Sequence, residues 1–173
     1  MIIRYCFVAV LALTLSACYV SKAMLLDPSA ARQPWPSSTW SETHNSTVKH
    51  YRATKRSDGW YDYAELHTDT GNWEERKVLL NDLGIVNGRT LYAYGMQSAP
   101  GDDGQSVLYG ILVALPGGKW KVVTPDCSLD VPKAIAKAHH VEKDCMFSDR
   151  SQLLGALRDY AATPEFERVL ATP

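Results

Sequence analysis

No apolar run in this 173-residue chain is long enough to cross a bilayer as a helix. The longest, Tyr5 to Leu13 continued by Thr14 to Ala17, is about a dozen residues, against the roughly 20 that a span requires. Nor is there an excess of positive charge, with 18 Lys and Arg against 19 Asp and Glu. That balance argues against nucleic acid or an anionic surface as an electrostatic partner. Gly-x-Ser-x-Gly, His-Glu-x-x-His and the glycine fingerprint of dinucleotide sites are all missing. Each would set a nucleophile, a metal or a phosphate cradle at a fixed place in a fold. Without them no cofactor is expected, and an enzyme is the less favoured reading.

What is present is concentrated at the start. Arg4 and the chain amine precede the apolar run, which ends in small residues, the layout of an export signal. Leu15-Ser16-Ala17-Cys18 resembles the bacterial lipobox. The resemblance implies removal of residues 1–17 as a signal peptide, a diacylglycerol on Cys18 and acylation of the new amine. Two or more acyl chains anchor stably where one binds only marginally. Tyr19 follows, where lipoproteins kept at the inner membrane of two-membrane bacteria tend to carry Asp. The resemblance therefore implies an outer-membrane protein facing the periplasm.

With Cys6 lost in the signal and Cys18 holding lipid, Cys127 and Cys145 remain of the four cysteines. In an oxidising compartment two leftover thiols read as one disulfide. A metal or redox pair is the rival reading, but Cys-x17-Cys lacks the tight spacing of zinc and thioredoxin-like sites. Arg4 is the only charged residue in the signal, so the mature chain keeps a net charge near −2.

Residues 18–46 read as a lipidated flexible tether. Asp27-Pro28-Ser29 and Gln33-Pro34-Trp35-Pro36-Ser37-Ser38 are rich in Pro and Ser, with no period that would bury a face. Trp35 and Trp40 are then exposed aromatics. Residues 47–173, about 127 in number, suit one globular domain.

Within that domain short segments alternate with turn signals. Val48–Arg56 and Trp60–His67 flank Ser57-Asp58-Gly59 as a hairpin. Glu75–Asn81, Thr90–Met96, Ser106–Leu115 and Lys119–Thr124 follow, separated by Asn87-Gly88, by Ala99 to Gly104 and by Pro116-Gly117-Gly118. Val107–Leu115 is apolar on both faces and reads as a central, doubly covered strand. Helices are predicted from Asp130 as cap to about His139, from Ser148 as cap to about Ala162, and from Thr163-Pro164-Glu165 onward. The fold class is α+β: an antiparallel meander of about six strands, then two or three helices, with one disulfide.

Candidate chemistry is sparse. Glu65, His67 and Asp69 alternate at a strand end with Tyr61 and Tyr63, so their side chains share a face. Such a row is a weak candidate for a divalent metal or for acid–base hydrolysis, beside the plainer reading of a solvated sheet face. Tyr92, Tyr94 and Met96 line another strand face, where an aromatic ligand platform competes with ordinary sheet packing. His139-His140 diverge on a helix and suit its C-terminus better than a metal. Gly117-Gly118-Lys119 lacks the hydroxyl and the upstream spacing of a phosphate loop.

A second resemblance covers about the last third of the chain. Tyr109-Gly110-x-Leu112, Pro125-Asp126-Cys127 and Cys145-Met146-Phe147-Ser148-x-Arg150-x-x-Leu153 are similar to small uncharacterised bacterial lipoproteins, which supply no activity to transfer. The sequence thus points to a membrane-anchored envelope protein. Its expected role is binding or structural, with an envelope protein or the cell wall as partner.

Overall fold

From Thr47 onward apolar and polar side chains alternate, and the chain answers with strands. The computed structural model describes residues 18–44, 47–68, 70–98, 106–141 and 144–172. Its strands are β1 (Val20–Ser21), β2 (Ser38–His44), β3 (Thr47–Lys55), β4 (Tyr61–His67), β5 (Asn72–Val86), β6 (Arg89–Gln97), β7 (Val107–Leu115) and β8 (Lys119–Val123). Three helices follow, α1 (Asp130–Ala138), α2 (Arg150–Ala161) and α3 (Pro164–Ala171). All eight strands form one antiparallel sheet in the order β1-β7-β6-β5-β4-β3-β2, with β8 also on β7. The expected meander and helices are therefore present, with two more strands than the sequence indicated.

The turns follow from their residues. Asn87 and Gly88 both take positive φ (50° and 75°), the pairing that lets a two-residue hairpin match strand twist. Pro116–Gly118 folds β7 back onto β8. β5 is the long spine. Its first half, Asn72–Val78, pairs with β4, and its second half, Val78–Val86, pairs with β6, past a bulge between Asp82 and Gly84. Beyond Val78, one edge of β5 is left without a meander partner.

That edge decides the fate of the residues expected as a tether. Ala31 forms a bridge with Asn81, and the Arg32 amide donates to the Leu80 carbonyl at 2.9 Å. β1 fills the matching gap on β7, beside β8, where the Tyr109 amide donates to Tyr19 O at 2.8 Å. Open strand edges carry unpaired backbone groups that must find partners, and the N-terminal segment supplies them. The segment buries Tyr19 and Leu26 in one core and, beyond Arg32, Trp35 in the other. Asn81, itself buried, accepts from the Asp27 amide through Oδ1 (2.8 Å) and donates from Nδ2 to the Asp27 carbonyl (2.9 Å). The expectation of an extended tether over 18–46 is corrected accordingly. Residues 18–44 belong to the folded body, because three large apolar side chains and several backbone bonds hold them there. Asn45 and Ser46 lie outside the described residues.

Two cores result. Helices α1 to α3 cover one face of the sheet over Leu79, Leu91, Ala93, Tyr109, Ile111 and Val113. The opposite face buries Ala53, Tyr61, Val78, Leu80, Tyr94 and Leu112 with Trp35, fringed by Trp40, Tyr63, Tyr92 and Trp120. β7 contributes to both, as a doubly covered strand should. The second face is closed by Trp35 together with the aromatic side chains around it.

The helix starts need two adjustments. α2 is capped by Asp149, whose Oδ1 accepts from the Gln152 amide at 3.0 Å, one residue after the expected Ser148. α1 has Leu129 at its cap with no side-chain bond, and Asp130 is its first helical residue, placed to interact with the helix dipole. Thr163 caps α3 as expected, accepting from Phe166 N at 3.1 Å. The Cys127–Cys145 disulfide ties the end of the sheet to the approach of α2 across 18 positions. Closing such a loop stabilises the fold by about 3 kcal/mol in the chain-entropy model.

Candidate functional site

Cys18 is half-buried and stands two residues before β1. Its backbone forms an antiparallel bridge with Asp126, next to the disulfide at Cys127. Two residues on, Val20 bridges Met146, its amide donating to Cys145 O at 3.1 Å while its carbonyl accepts from Phe147 N at 2.7 Å. Tyr19 between them is wholly buried, its ring 4.9 Å from Phe147, and its hydroxyl donates to the Pro132 carbonyl at 2.9 Å. Burial pushes the Tyr19 phenol well above its ordinary range. Cys18 is thus pinned to the body through its immediate neighbours. Residues 1–17, read as a signal peptide, lie outside the described residues.

The row on β4 comes together only in part. Glu65 accepts from Lys49 Nζ at 2.7 Å, across from β3. His67 Nε2 lies 2.8 Å from Glu74 Oε2 on β5, and Arg76 Nε donates to the other oxygen of the same carboxylate at 3.0 Å. Hydrogen bonds from Arg76, then from His67, hold the Glu74 carboxyl below its usual range. Asp69 lies outside the described residues. Glu65 and His67 share a face but serve different partners, as cross-strand pairs do. Among the described residues no three His, Cys, Asp or Glu side chains gather as a metal would require.

Beside that row the rings of Trp35, Trp40, Tyr51 and Tyr63 cluster. Trp40 stacks on Tyr51 at 5.5 Å and Tyr51 on Tyr63 at 6.0 Å, while Trp35 meets Trp40 at 5.1 Å. The Tyr61 hydroxyl donates to Trp35 O at 2.9 Å, and burial pushes its pKa up to about 12. Pairs of this kind contribute about 0.5–1.5 kcal/mol each beyond area burial. The rings pack on one another, two pairs stacked and the others tilted, and with Trp35 they close the second core. Sequence reading missed it because Trp35 and Trp40 fell in the supposed tether. Two tryptophans in a Pro/Ser-rich segment were the available signal.

The remaining candidates settle as structure. Tyr94 is buried and donates to Met96 Sδ at 3.1 Å, and Tyr92 packs on Trp120 at 6.4 Å. His139 caps α1 and reaches Asp159 of α2 at 2.8 Å, its ring lying over Gly155, while His140 turns away with φ 62°. Gly117 and Gly118 make the β7–β8 turn. A cleft of about 490 Å³ lies between Lys22–Met24 and the strands bearing Asp62, Glu75 and Lys77. Arg56 and Arg52 already engage its two acids, Asp62 and Glu75. Among the described residues no helix is long and apolar enough to cross a membrane. No family model, no curated protein and no solved structure matches the chain.

Proposed function

We propose that this chain is a lipoprotein of the bacterial cell envelope, anchored through a diacylglycerol thioether on Cys18 and acting by binding or scaffolding, with no reaction of its own. The observation that carries the reading is Leu15-Ser16-Ala17-Cys18 at the end of a short apolar run behind Arg4. The disulfide supports it, since such bonds persist in oxidising compartments. The similarity of the last third to small bacterial lipoproteins points the same way. Tyr19 after the cysteine favours the outer membrane, with the body in the periplasm and a partner in another envelope protein or the cell wall.

The test is the mature protein itself. Membranes from cells expressing the full chain should yield an N-terminal peptide that begins at Cys18 and carries acyl chains. Cys18→Ser should move the protein out of the membrane fraction. A mature peptide with an unmodified Cys18, or membrane retention of the serine variant, would contradict the anchor. Crosslinking in cells addresses the binding half: a specific envelope partner is expected, and a pattern identical to that of an unrelated lipoprotein would contradict it.

A further inference from the structure

Among the described residues five large apolar side chains stay exposed: Val48, Ile85, Leu129, Val131 and Met146. Val48 and Ile85 stand on β3 and β5, with no backbone pairing to the Cys18 segment. The other three belong to the two stretches that clasp that segment. Met146, 47% exposed, is the bridge partner of Val20. Leu129, 45% exposed, donates its amide to the carbonyl of Asp126, the bridge partner of Cys18, and Val131 lies in the first turn of α1. Scattered apolar residues on a surface mean little, but a group gathered at one place does.

We propose that this face, Leu129, Val131 and Met146 around Cys18, lies in the headgroup region of the bilayer that holds the Cys18 lipid, so that anchor and body dock as one unit. The inference rests on the lipoprotein reading above. Its motive is the missing slack. Tyr19 is fixed by its buried ring and by hydrogen bonds at its carbonyl and hydroxyl, and the next Cα is only about 3.8 Å away. A lipid on Cys18 Sγ therefore brings the membrane to within about a side chain of the body, and the residues beside Cys18 must meet it. Apolar side chains there enter the boundary between headgroups and acyl chains favourably. Charge is not the attraction: Asp126, Asp130 and Asp144 stand near this face against Lys22 and Lys133. Neutral lipid should therefore serve as well as anionic.

The test uses the full chain, processed in bacteria and reconstituted into phosphatidylcholine vesicles that carry a nitroxide on the acyl chain. A fluorophore is attached in turn to Leu129→Cys, Val131→Cys, Val48→Cys and Ile85→Cys, all at exposed positions. Mass spectrometry of each sample first establishes whether Cys18 is acylated. The expected result is loss of most fluorescence at positions 129 and 131 and little loss at 48 and 85. Acylated, vesicle-bound protein with all four positions unquenched would overturn the docking and leave the anchor standing. So would equal quenching at all four. Protein without acyl chains would overturn the lipoprotein reading, and this inference with it.

Discussion

Gly110 sits on β7 where its neighbour changes from β1 to β8, and its α-carbon faces the backbone. A Cβ there would lie 2.9 Å from Val123 O and 3.0 Å from Thr124 Cγ2. Backbone cannot swing aside as a side-chain tip can, so Gly110→Ala should cost about 1–3 kcal/mol, read as a lower urea midpoint at unchanged slope. Five tyrosines make a second claim at this scale. Burial raises the phenols of Tyr19, Tyr61, Tyr94, Tyr109 and Tyr160 above the ordinary value of 10.0. A group whose folded pKa is raised contributes stability that is complete below its unfolded value and is lost as pH climbs through the folded one. The fold should therefore hold to about pH 10 and fail above it, with these phenolates appearing together with unfolding. Their titration near pH 10 in a protein whose circular dichroism is unchanged would contradict the burial assigned to them.

At the scale of elements, the two acids that open α1 and α2 look alike in sequence and differ in the fold. Asp149 accepts a cap bond from Gln152, while Asp130 makes no side-chain cap bond and stands inside its helix. Asp149→Ala should cost about 1 kcal/mol in thermal or urea unfolding, and Asp130→Ala a fraction of that. Equal losses would refute the cap assignment. Strands β3 to β8 and all three helices were legible in the sequence, because each carries its own period and is bounded by Gly, Pro or Asn turns. β1 and β2 were not. Val20–Ser21 is too short to show alternation, and Ser38–His44 has Trp40 as its only large apolar residue. Both take their conformation from the partner strands they complete, and a local pattern cannot report that. The candidate site divides the same way. Cys18 was singled out from four adjacent residues, whereas the Lys49–Glu65 and His67–Glu74 pairs depend on register across strands and were invisible along the chain.

For the molecule as a whole, the N-terminal segment is part of the folded body. A Pro/Ser-rich stretch reads as linker because composition alone gives it no face to bury. Here its few large residues are spent on the core: Tyr19, Leu26 and Trp35 are each less than a tenth exposed. Burying a side chain of that size favours folding by about 1.5–3 kcal/mol, enough for three of them to hold the segment against the sheet. With this segment packed on the sheet, Cys18 is held close to the folded body. The most direct test of this account is hydrogen exchange resolved to single amides across residues 18–44. The account predicts protection comparable to the central strands at Val20, Leu25, Asp27 and Arg32, whose amides bond to Cys145 O, Tyr109 Oη, Asn81 Oδ1 and Leu80 O. Exchange of these four at the rate of an unstructured peptide, with β5 to β7 protected, would show a tether after all and contradict it.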